Sequence, residues 1–168
     1  MKLNALYDLY ITELKDMYSA EKQLVEALPD MASAASTPEL RQAFESHLDQ
    51  TRRHYELVRG ILDELDENPG NKVCKGMQGI LEEGSEVAKQ EGRPKARDAA
   101  LILSAQKAEH YEIAVYGGLR AYASTLGYDD AAATLNEILD DEYNADQNLD
   151  DLAEGGILDQ GMNEEAMR

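Results

Sequence analysis

The 168-residue chain has no tryptophan, one phenylalanine (Phe44), one cysteine (Cys74) and only four prolines. A lone cysteine excludes an internal disulfide framework and fits a reducing compartment. So few prolines leave long stretches free to run as uninterrupted helix. Val, Ile and Thr are sparse beside Ala, Leu, Glu, Lys, Gln and Met, which is the balance of an all-helical protein. Nine tyrosines carry nearly all of the aromatic content.

Basic residues are also scarce: 16 stand against 34 acidic ones, for a net charge of −18. Direct binding to nucleic acid or to an anionic membrane surface is therefore disfavoured, and cations are the fitting guests. Most of these charges need no more explanation than a solvated acidic surface. No window approaches the roughly 18 apolar residues of a membrane span. The opening MKLNALYDLY lacks the basic start and apolar run of an export signal, so a cytoplasmic protein is expected. Length predicts a single domain over residues 1–155, with 156–168 as a loosely held C-terminal tail.

Four segments keep a helical period. The first stripe is Leu3, Tyr7, Tyr10, Leu14, Met17, Glu21, Leu24 and Leu28, with an end predicted at Pro29 or soon after. Thr37 can cap the second helix and Pro38 can open it. Its stripe is Phe44, Leu48, Thr51, Tyr55, Val58, Leu62 and Leu65, closed by DENPG. The third reads Leu101, Ala105, Ala108, Glu112, Val115, Leu119, Tyr122 and Leu126, and stops at Gly127. The fourth reads Leu135, Ile138, Glu142, Ala145, Leu149 and Leu152, and stops at Gly155-Gly156.

Short connections make helices 1 and 2 one antiparallel hairpin and helices 3 and 4 another. Between the hairpins lie about thirty residues, with GMQGILEEGSEVAK as a short extra helix, enough to travel the length of a bundle. The fold class is thus all-α: a ferritin-like antiparallel four-helix bundle with one long crossover between helices 2 and 3.

Three apolar stripes contain a glutamate: Glu21, Glu112 and Glu142. A buried carboxylate is costly unless paired or bound to a metal, so these positions need a reason. Across a turn near residues 126–129, Glu112 faces Glu142 and Glu109 faces Asp146. Across a first turn beginning near residue 28, Asp16 faces Gln50 and Glu13 faces His54. The spacing of Glu13 and Asp16 repeats in Glu109 and Glu112, and that of Gln50 and His54 repeats in Glu142 and Asp146. Residues three or four apart share a helix face. The candidate metal ligands are therefore Glu13, Asp16, His54, Glu109, Glu112, Glu142 and Asp146, with Gln50 the weaker one. Mixed carboxylate and imidazole ligation suits iron, manganese or zinc, one ion or a pair. Glu21 and His47 form another facing pair, read as a buried hydrogen bond within the first hairpin, and His110 points away from Glu109.

YSAEKQL (18–24), HLDQT (47–51), RDAALILSAQKAEHYEIAVYGGL (97–119) and LNEILDDEYNAD (135–146) resemble the YciF-type family of ferritin-like proteins over about residues 3–153. Residues 97–119 also resemble the third helix of rubrerythrins. The resemblance implies a homodimer, a link to bacterial stress responses and a site for two metals. The leading reading is a stress-response protein that holds one or two divalent ions, iron or manganese, and meets oxygen or peroxide there. The resemblance carries metal-ligand roles to Glu109, Glu112, Glu142, Asp16 and Asp146. Two departures stand against a complete site: Thr51-x-x-His54 and Glu142-x-x-Ala145 replace the Glu-x-x-His pairs of di-iron bundles, and Gln50 stands where relatives often carry Glu. The competing reading is a non-catalytic dimeric bundle with a degenerate site, acting by interaction or protection.

Overall fold

The computed structural model describes residues 5–155 and 160–167; Leu3 and Gly156 of the sequence patterns lie outside them. Among the described residues six helices follow in order: α1 (Leu6–Ala34), α2 (Pro38–Glu64), α3 (Lys75–Lys89), α4 (Pro94–Leu126), α5 (Asp129–Glu154) and α6 (Met162–Ala166). The pairs α1/α2 and α4/α5 are hairpins, and α1 against α4 and α2 against α5 close the four-helix bundle. The short α3 lies on the crossover, packed on α1 and α4.

The first helix does not stop at Pro29. It continues to Ala34 with the proline inside it. A proline there removes the hydrogen bond to the carbonyl four residues back, but Pro29 is exposed, so water reaches that face. Meanwhile Leu28, Met31 and Ala32 are buried on the other side, and their burial outweighs the lost bond. The turn to α2 therefore shrinks to residues 35–37. Thr37 precedes α2 without capping it. Instead the buried Asp98 of α4 accepts hydrogen bonds from Ser36 N (2.9 Å), Ser36 Oγ (2.7 Å) and Thr37 Oγ1 (3.4 Å), tying the turn to α4. Pro38 opens α2, as its fixed φ favours.

Gly127 ends α4 in the left-handed region (φ 80°), with its N–H on the Ala123 and Ser124 carbonyls. Asp129 and Asp130 stand in the first turn of α5, where acidic side chains favour the helix dipole. The core joins Tyr10, Leu14 and Met17 of α1 with Leu40 and Phe44 of α2, Leu101 and Leu119 of α4, and Leu135 of α5.

The tail departs from a loosely held segment over residues 160–167. There α6 packs on α4 and α5 with Met162 buried, and Lys95 Nζ lies 2.6 Å from Glu165 Oε2. A Cβ at Gly161 would overlap the Glu154 backbone, so only glycine allows this close return.

Candidate metal centre

Midway along the bundle, polar side chains replace apolar ones on the inward faces of all four long helices. They are Glu21 on α1, His47 and His54 on α2, Glu109 and Glu112 on α4, and Glu142 on α5, each buried. Ligand atoms of His47, Glu109, Glu112 and Glu142 all lie within 4.8 Å of one another. A second group, Glu21, His54 and Glu142, meets the same 4.8 Å limit, so Glu142 belongs to both.

His47 Nε2 is 3.1 Å from Glu109 Oε1, and His54 Nδ1 is 2.9 Å from Glu142 Oε1. Neither contact is aimed as a hydrogen bond, which leaves both ring nitrogens of His47, and Nδ1 of His54, without a directed partner. The other face of His54 is held: Nε2 lies 3.1 Å from Asp141 Oδ2, which also pairs with Arg53 at 3.0 Å. Such a contact fixes ring orientation and leaves Nδ1 facing the centre. Tyr116 OH donates to Glu21 Oε1. Both oxygens of Glu112 and both of Glu142 are buried without a hydrogen-bond partner among the described residues.

These charges are strongly perturbed. Burial and then the Glu142 carboxylate push Glu112 well above the usual carboxyl range. Burial, followed by Glu142, raises Glu21 to about 7, against the pull of His54 and Tyr116. Burial would lower His47, but Glu109 and further carboxylates outweigh it and raise the imidazole to about 10. Burial likewise opposes the charged form of His54, and Glu142 beside it reverses the direction. A protein that buries unpaired carboxylate oxygens among imidazole nitrogens fits a cation, since oxygen and nitrogen donors of this kind are those of divalent transition metals. The residues present could therefore hold a metal ion.

Of the residues expected at this site, the structure brings together His54, Glu109, Glu112 and Glu142. Asp146 belongs to neither group; its Oδ2 is 3.0 Å from Nε2 of the exposed His110. Gln50 is half-buried on the wall of a cleft leading to His47. Asp16 stands apart, with Oδ1 2.8 Å from Lys72 Nζ and Oδ2 accepting from Tyr111 OH at 3.1 Å; Glu13 lines the same outer pocket. The reason is register. By extending past Pro29, α1 slides along α2, so that Tyr18 stacks on Tyr55 at 4.6 Å and Glu21 meets His54.

Glu21 and His47 join the group although their sequence reading was a private hydrogen bond. A legible signal existed: Glu21 is the one charge in its stripe, and Phe44, His47, Thr51, His54 and Val58 are the buried face of α2. Hydrophobicity alone prefers Leu48 and Tyr55, which are only half-buried.

Comparison with known proteins agrees with this architecture. The profile described as Domain of unknown function (DUF892) matches residues 5–166. The chain is 43% identical over 154 residues to Protein YciF of Escherichia coli (strain K12), spanning 91% of this chain and 93% of that protein. The crystal structure of the E. coli stress protein YciF superposes with a TM-score of 0.86, covering 89% of this chain and 94% of that one. YcfI from Rhodopseudomonas palustris gives 0.85 at 35% identity, over 89% and 95% of the two chains. A protein from Xanthomonas campestris pv. campestris gives 0.70 at 22% identity, over 87% and 88%, a likeness of fold alone. The chain belongs to the DUF892 family.

Proposed function

We propose that this member of the DUF892 family is a metal-binding protein whose bundle core holds divalent iron or manganese. The observation that carries the reading is Glu112: both its oxygens are buried without a partner amid ligand atoms of His47, Glu109 and Glu142. Leaving such a group unpaired costs about 1–3 kcal/mol or more, and a bound cation removes that cost. Four carboxylates with two neutral imidazoles would match two divalent ions in charge, and Glu142 is common to both groups. His47, Glu109 and Glu112 would hold one ion and Glu21 with His54 the other. Bound iron or manganese would supply reactivity toward oxygen or peroxide. The stress connection comes from the E. coli relative.

A second reading has its own observation. His47 with Glu109 and His54 with Glu142 already lie as two close acid–imidazole pairs, and protons on Glu21 and Glu112 would complete neutrality. On that reading the bundle is non-catalytic, a dimer acting by interaction or protection. Metal analysis of protein purified without chelator, then reconstituted with Fe2+ or Mn2+, separates the two. The metal reading expects one to two equivalents retained. Under about 0.2 equivalents, before and after reconstitution, leaves the protonated bundle.

A further inference from the structure

A cleft of about 440 Å3 opens between α2 and α5 and ends on α4. Its inner end is made by His47, Glu109, Ala105 and Ala145, all buried, while Glu39 and Asp151 stand exposed at the outside. Along the walls are the amides of Gln50 and Asn148, and among the described residues no lysine or arginine lines it. We infer that this cleft is the inlet through which a hydrated divalent cation reaches the buried centre, arriving first at His47 and Glu109. The inference rests on the metal reading above.

Size, charge and geometry each support it. A cation with six waters displaces about 180 Å3, taking about 30 Å3 per water. The cleft therefore has the volume to admit a hydrated ion, while buried His47 and Glu109 at its inner end require the ion to shed water to reach them. Carboxylates at the outside and amide oxygens on the walls attract a cation, and the low-dielectric walls of a cleft focus that field. At the inner end, both ring nitrogens of His47 and Oε2 of Glu109 lack a directed hydrogen-bond partner among the described residues, and the arriving ion would take the place of the His47–Glu109 contact. The other group is shut off by burial: Glu21, His54 and Glu142 are fully buried, and the Asp141–Arg53 pair covers His54. Small side chains at Ala105 and Ala145 keep the inner end open, and a larger one at 145 would fill it.

Metal-stripped full-length protein is mixed with Co2+ in a stopped-flow instrument, and loading is read by visible absorption, with total uptake measured at equilibrium. Ala145→Phe should load at least tenfold more slowly. Asn148→Lys, an exposed change that leaves the packing intact, should load about fivefold more slowly at low salt, the difference shrinking at high salt. Gln78→Lys, which adds the same charge on α3, should load as the parent does. Parent-like loading of Asn148→Lys, whatever Ala145→Phe does to the fold, overturns the inlet while leaving the metal reading standing. Absence of Co2+ uptake by the parent at equilibrium overturns both.

Discussion

The Tyr116 hydroxyl of α4 donates a hydrogen bond to Glu21 Oε1 of α1, and both side chains are fully buried. This contact crosses the bundle between the two hairpins and fixes the acid that meets His54. Tyr116→Phe keeps the ring and removes only the donor. Hydrogen bonds to charged or partly charged groups contribute about 1.5–3 kcal/mol. Urea unfolding of the metal-free variant should show a loss in that range; no loss would mean that Glu21 finds another partner.

Glu112 behaves oppositely. In the metal-free protein it is a buried acid without a hydrogen bond, and burial with neighbouring carboxylates already opposes its charge. Glu112→Gln replaces the titratable acid by a neutral amide of nearly equal volume, so the metal-free variant should be as stable as the parent or more so by about 1–2 kcal/mol at pH 8. Metal retention should fall at the same time. A variant that binds metal like the parent would remove Glu112 from the ligands.

The pH dependence follows from the same groups. Glu21 rises from 4.5 to about 7 on folding, and His47 from 6.5 to about 10. In both cases the folded protein binds protons more tightly than the unfolded chain. Their contributions are fully present below the unfolded values and are lost as pH rises through the folded ones. The metal-free protein should therefore lose stability between pH 5 and pH 10, by denaturant titration at several pH values.

Metal binding has the reverse sign. Ligands must shed protons from Glu21, Glu112 and the imidazoles, so affinity should strengthen as pH rises through 7 and protons should be released. Calorimetry in buffers of different ionisation enthalpy measures that release directly. A binding heat independent of buffer would contradict the protonated starting state.

Asp98 tests the register rather than the site. It is buried and accepts from Ser36 N, Ser36 Oγ and Thr37 Oγ1. Asp98→Ala should cost about 3 kcal/mol in urea unfolding, because the turn loses the buried acceptor of three hydrogen bonds. Metal stoichiometry should stay unchanged.

The sequence by itself determined the four long helices with the short crossover helix, the two hairpins and the closeness of Glu112 to Glu142; α6 and the end of α1 came from the tertiary structure. Glu112 facing Glu142 was legible because Gly127 marks a sharp end of α4 and the short turn fixes the α4/α5 register. Hydrophobic period then put both acids on inward faces. The rest of the centre needed the tertiary structure. A proline in a helix is disfavoured locally, but Pro29 sits on an exposed face while its neighbours pack, and packing carries α1 on to Ala34. That extension replaces Asp16 and Glu13 by Glu21 opposite α2. Likewise, pattern ranks Leu48 and Tyr55 above His47 and His54, since an imidazole is the poorer core residue. Only the presence of Glu109 and Glu142 across the bundle makes the histidines the buried ones, because they give those rings charged partners that no single helix can reveal.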